Sequence, residues 1–163
     1  MTKIRTKSQI GRFSRTKGLS YERKVCKILS DWSGKDFKRR GVGFSDKDII
    51  TPDNFIFSIE CKKVETINPS DLTTEFPEGS LKDYWVQTKE QAKKEGKSPL
   101  LIFTKNYERA DYFVTSDSRL LIALEKLEDP HYTVIHNSGK RFVAGTLDDL
   151  IRCEYLLFEG TCT

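Results

Sequence analysis

At 163 residues, with 37% hydrophobic and 32% charged side chains, the chain is long enough to bury an ordinary core as one domain without disulfide or metal staples. No apolar stretch suits a signal peptide or a membrane span, and Cys26, Cys61, Cys153 and Cys162 form no CxxC pair. The cysteines therefore read as buried small hydrophobes in a reducing cytosol rather than as a zinc site.

The net charge of +4 is unevenly spread. Residues 1–45 hold thirteen Lys or Arg against three acids, a balance of +10, which leaves −6 for the other 118 residues. A basic front on an acidic body points to a polyanion partner, because each neutralised phosphate releases counterions. Residues 1–17 carry six basic residues, no acid and little to pack, so they are expected to form a flexible basic arm offering Arg12, Arg15 and Lys17 to such a polyanion. Residues 18–163 would then be the folded domain.

From Leu19 the apolar spacing of Tyr21, Val25, Ile28, Leu29 and Trp32 predicts a helix ending near Gly34. Three short strands follow at 36–40, 48–50 and 55–63, with GVG and TPDN as turns. The TPDN turn is expected to join the second and third strands as a hairpin. Residues 64–80 read as a loop, 81–96 as a helix stopped by Gly96, and LLIF after Pro99 as a buried strand. The remainder reads as a strand at ADYFVT, a helix around 117–127, a possible hairpin of YTVIH and RFVAG over NSGK, a short helix at 146–151, and the apolar segment EYLLF. This order predicts an α/β domain with a mixed β-sheet flanked by helices.

Chemistry concentrates at the third strand. With period two, Phe55, Phe57, Ile59 and Cys61 share one face, while Ile56, Ser58, Glu60 and Lys62 share the other. Alone, Glu60 and Lys62 would be a surface ion pair worth at most about 1 kcal/mol. The hairpin, however, brings Asp48 beside Glu60. Two carboxylates facing one spot repel each other unless a cation lies between them, and hard oxygen donors select Mg²⁺ or Mn²⁺. At about 100° per residue, Glu22 falls within the apolar arc of Val25, Cys26 and Leu29, where a carboxylate is costly unless it serves a metal site or a buried lysine. An N-terminal-turn glutamate favoured by the helix dipole is the plainer explanation of Glu22 taken alone. Asp46 competes with Asp48, and Lys63 could replace Lys62 only from the opposite face. Arg39 and Arg40, beside glycines in FKRRGVG, could clamp a phosphate. His131 and His136 read as structural or exposed, and Trp32 and Trp85 as core.

Glu22, Asp48 and Glu60-Cys61-Lys62 together resemble the PD-(D/E)xK nuclease superfamily. More narrowly, GLSYERKVCKIL, GFSDKDII, FSIECKK and YWVQTKEQAKKEGKSPLLIF are similar to archaeal-type Holliday junction resolvases and their phage relatives, over roughly residues 18–106. Residues 107–163 carry no part of this likeness. The resemblance implies a restriction-endonuclease-like core and a metal-dependent endonuclease acting on branched DNA, a Holliday junction resolvase that works as a homodimer because a four-way junction needs two related cuts. It further implies that Asp48, Glu60 and the Cys61 carbonyl ligate Mg²⁺ (or Mn²⁺), that Glu22 acts through water or a second metal, and that Lys62 serves the attacking water. A supporting glutamine on the second helix would be Gln91, which lies nearer the buried face than Gln87. Such an enzyme would work in the cytoplasm of a prokaryotic or phage-infected cell. Two departures stand out: Lys47 replaces the family's proline, and Pro52-Asp53 matches the letters but belongs to a turn. Another DNA substrate (flap, nick or restriction-like), or an inactive nucleic-acid-binding module of the same fold, are the alternative readings.

Overall fold

The computed structural model describes residues 7–41, 48–65, 80–137 and 139–160, without the side chains of 7–16, 80 and 137. Helix α1 (Lys7–Ser33) is followed by two-residue strands β1 (Lys38–Arg39) and β2 (Ile49–Ile50), then by β3 (Phe57–Val64), α2 (Ser80–Glu95) and β4 (Ser98–Lys105). Next come β5 (Asp111–Thr115), α3 (Ser118–Leu124), β6 (Tyr132–Asn137), β7 (Lys140–Thr146), α4 (Leu147–Arg152) and a 3₁₀ turn at Tyr155–Phe158.

Helix α1 starts twelve residues before the expected Leu19. Gly11 and Gly18 each disfavour helix by about 1 kcal/mol, but a helix already nucleated and packed from Tyr21 onward extends at little further cost. Arg12, Arg15 and Lys17 therefore sit on helical backbone instead of in an unstructured arm. Both long helices end at glycines in the left-handed region, Gly34 at φ 67° and Gly96 at φ 65°.

Strand β3 pairs in parallel with β4 across α2, and β4, β5, β7 and β6 continue antiparallel, giving the mixed order β3-β4-β5-β7-β6. Helices α1, α3 and α4 cover one face through Val25, Leu29, Leu120, Leu124 and Leu150 against Phe57, Ile59, Leu100 and Ile102. Helix α2 covers the other, with Leu81 and Trp85 against Val64, Leu101, Phe103 and Phe142. The α/β architecture and mixed sheet flanked by helices are those expected, and so is the division of β3 into two faces.

The hairpin over TPDN is not. Strand β2 pairs with β1, in a separate two-stranded sheet extended by Arg40 N–H donating to Asp48 O at 3.1 Å. The turn itself forms, with Phe55 N–H on Pro52 O at 3.0 Å. The edge such a hairpin would need is occupied by the C-terminal segment. Ile56 N–H donates to Phe158 O at 2.9 Å, Gly160 N–H donates to Asn54 O at 2.7 Å, and Phe55 bridges Glu159. EYLLF thus forms a 3₁₀ turn that leads into this edge pairing. Cys26, Cys61 and Cys153 are buried free thiols, as expected; Cys162 lies outside the described residues. Among the described residues no helix is long and apolar enough to cross a membrane.

Candidate active site

The site lies where β3 faces away from β4. In a strand the N–H and C=O of one residue point to the same edge. Cys61 N–H donates outward to Asp48 Oδ2 at 3.1 Å, so the Cys61 carbonyl also faces the Asp48 side. Its side chain points the other way, into the α1 layer, where burial, then Asp48, Cys26 and the nearby glutamates push the thiol up and keep it neutral. Only the main chain of Cys61 is offered to the site.

Glu60 and Lys62 rise together on the α2 face. Lys62 Nζ stands 2.6 Å from Glu60 Oε1, 3.8 Å from Asp48 Oδ2 and 5.4 Å from the centre of the Tyr84 ring. Glu60 is 1% exposed, and neither carboxylate oxygen has an aligned hydrogen-bond donor. Burial, then the Asp48 charge, pushes its pKa up to about 7, against the pull of Lys62. For Lys62, burial favours the neutral amine, but Glu60 and Asp48 outweigh it and hold the ammonium charged. From the opposite layer Glu22 reaches the same edge, with Arg39 Nη1 3.6 Å from its Oε2. Burial and then Asp48 raise the Glu22 pKa, while Arg39 and Lys62 oppose the rise.

Five predicted residues, Glu22, Asp48, Glu60, Cys61 and Lys62, therefore meet at one edge, joined by Arg39. Arg40 diverges from it, lining a cavity with Ile50, Gln91 and Lys97. Gln91 is buried, whereas Gln87 is exposed. The Gln91 amide donates to Glu95 Oε1 at 2.7 Å, and Ser58 Oγ donates to the same oxygen at 3.0 Å. Gln91 is thus linked to Ser58, two residues before Glu60 on the same face, and not to Glu60 itself. Asp53 is exposed in the turn, lining cavities away from the carboxylates. Lys63 points away from the acids, as the strand period demands. Asp46, and the side chains of Arg12 and Arg15, lie outside the described residues.

Sequence reasoning missed Tyr84, whose ring lies under the Lys62 ammonium. Its position one residue before the buried Trp85 gave only a generic apolar signal. It also missed Glu95, whose link to Ser58 depends on how α2 lies across β3.

Among the described residues no three His, Cys, Asp or Glu side chains form a ready-made metal cage. Mg²⁺ does not require one, since it is usually held by one or two carboxylates together with waters and substrate phosphates. The fit to a divalent cation rests on Glu60, a buried carboxylate without an aligned donor, set against the second carboxylate of Asp48 and beside an outward main-chain carbonyl.

The model of the family described as "Phage putative PDDEXK endonuclease" matches residues 13–157. The match continues through β5, α3, β6, β7 and α4, well past the residue 106 at which the resemblance to resolvases ended. No curated protein matches the chain.

Proposed function

The chain belongs to the phage PD-(D/E)xK endonucleases, and on that premise we propose that it is a Mg²⁺-dependent endonuclease that cuts branched DNA, with the four-way Holliday junction as its substrate. The observation that carries this reading is the meeting of Asp48, Glu60 and Lys62 at the open edge of β3. Asp48, Glu60 and the Cys61 carbonyl would hold the cation, with Glu22 acting through water or at a second ion. When bound, such a cation supplies Lewis-acid stabilisation of charge on the scissile phosphate.

The remaining steps fall to the protein. Lys62 keeps its proton, so it orients the attacking water and offsets the charge that grows on the phosphate oxygens instead of acting as a base. Arg39 offers a guanidinium to a neighbouring phosphate at the same edge. Gln91 supports the Glu60 face of β3 through Glu95 and Ser58. Arg12, Arg15 and Lys17 extend the contact with DNA along α1, and Arg40 adds to it on the α2 side. One site cuts one strand, so resolving a junction takes two related cuts, and a two-fold homodimer supplies them. The buried free thiols fit the reducing cytoplasm of a prokaryotic or phage-infected cell.

The test is cleavage of four-way junction, flap, nicked and linear duplex DNA with Mg²⁺ or EDTA. Paired symmetric nicks on the junction alone support the resolvase. Equal cutting of linear duplex sinks the junction preference while keeping the nuclease, and binding without any cutting points to an inactive module of the same fold.

A further inference from the structure

On the α1 face of β3, opposite Lys62, lies a cavity of about 350 Å³ separate from the carboxylate site. Lys17, Ser20, Tyr21 and Lys24 line it from α1, at the i, i+3, i+4, i+7 spacing that places them on one stripe of the helix. Lys63 and Thr104, opposite each other in the β3–β4 register, form its other wall.

Its charges are not balanced from within. Lys24 is paired with Asp111 at 2.5 Å, and the cavity's acid, Glu108, is paired with Lys105 at 3.0 Å. Lys17 and Lys63 are exposed and, among the described residues, have no ion-pair partner. Tyr21, 5% exposed, turns its buried hydroxyl toward the Asp111 carboxylate that Lys24 already pairs, so neither Tyr21 nor Asp111 offsets the two free lysines.

We infer that this cavity is a subsite for a DNA backbone phosphate away from the scissile one, with Lys17 and Lys63 supplying the charge and Ser20 a hydroxyl donor. Successive strand residues point to opposite faces, so Lys62 and Lys63 address the two sides of the β3 edge. A DNA strand crossing that edge would meet the cutting site on one side and this subsite on the other. The inference rests on the nuclease reading.

The experiment is the salt dependence of binding to a labelled mixed-sequence DNA duplex in EDTA, since phosphate contacts carry no sequence information. The Lys17→Ala/Lys63→Ala protein should bind more weakly than wild type, with the slope of log K against log salt reduced by about one, the value for roughly one lost phosphate contact. The control Lys126→Ala/Lys140→Ala, which removes equal charge outside the cavity, should leave the slope unchanged. An unchanged slope in the Lys17/Lys63 protein, or an equal drop in the control, overturns the subsite. Cleavage by the wild type in the substrate panel separates the two readings. If it cuts DNA while the Lys17/Lys63 protein binds normally, only the subsite falls; if it neither cuts nor binds, the nuclease reading falls and the subsite with it.

Discussion

Neutralising Glu60 should stabilise the metal-free protein while abolishing its activity. The carboxylate is 1% exposed, with Asp48 beside it and no aligned donor, and its pKa stands at about 7 against an ordinary value of 4.5. A carboxylate whose folded pKa is raised binds its proton more tightly folded than unfolded. It therefore costs nothing below pH 4.5, and stability falls as pH rises from there through 7. The full difference is about 2.5 pKa units, or about 3 kcal/mol above pH 7, at ~1.36 kcal/mol per unit. Near pH 5 the cost is below about 1 kcal/mol by the same linkage. Glu60→Gln removes the titration and nearly preserves the shape. In EDTA, urea unfolding should therefore give the variant an advantage of about 3 kcal/mol at pH 8 and less than about 1 kcal/mol at pH 5, with unchanged m-values. Mg²⁺ should raise the unfolding midpoint of the wild type at pH 8 and leave that of the variant nearly unmoved. An advantage of equal size at both pH values, or no advantage at pH 8, would refute the claim that burial and the Asp48 charge outweigh Lys62 at Glu60.

Other consequences are as direct. Lys62→Ala should reduce cleavage by at least about 100-fold while DNA affinity in EDTA changes little, the signature of a group that acts on the reacting phosphate; cutting at the normal rate would displace Lys62 from the site. Asp48→Asn should weaken Mg²⁺ binding, read by calorimetric titration, while keeping an acceptor for Cys61 N–H, so the fold should persist by circular dichroism. Far from the site, buried Asp149 accepts from His131 N–H, Thr146 Oγ1 and Arg152 Nη1. Burial works against the carboxylate, but these bonds prevail and lower its pKa, so its contribution is present above the ordinary value of 3.8 and lost as pH falls through the lower folded value. Asp149→Ala should cost about 2–3 kcal/mol at pH 7, measured by urea unfolding, and less near pH 3. At Gly145 an added Cβ would lie 3.0 Å from the Phe113 ring and 3.1 Å from His131 O, so Gly145→Ala should destabilise by about 1–3 kcal/mol, seen as a lower Tm.

Much of the geometry of the candidate site was legible before any fold was known, because local rules dictate it. The period of two puts Glu60 and Lys62 on one face of β3 and Lys63 on the other, and the helical period turns Glu22 toward the apolar side of α1; both follow from covalent geometry whatever the neighbours. The turn at Pro52 and the glycine stops of α1 and α2 are local in the same sense. The hairpin was not legible, because which strand pairs with which is a contest between distant segments. β2 found β1, β3 found β4 across α2, and the edge beside Phe55 went to Glu159 and Gly160, more than a hundred residues away in the chain. Tertiary structure likewise decided that Asp48 reaches Glu60 through the Cys61 amide instead of through a shared turn, that Gln91 answers to Glu95, and that Tyr84 lies under Lys62. Sequence periodicity settles the direction of each side chain along its own element; only the packing of those elements settles what it meets there.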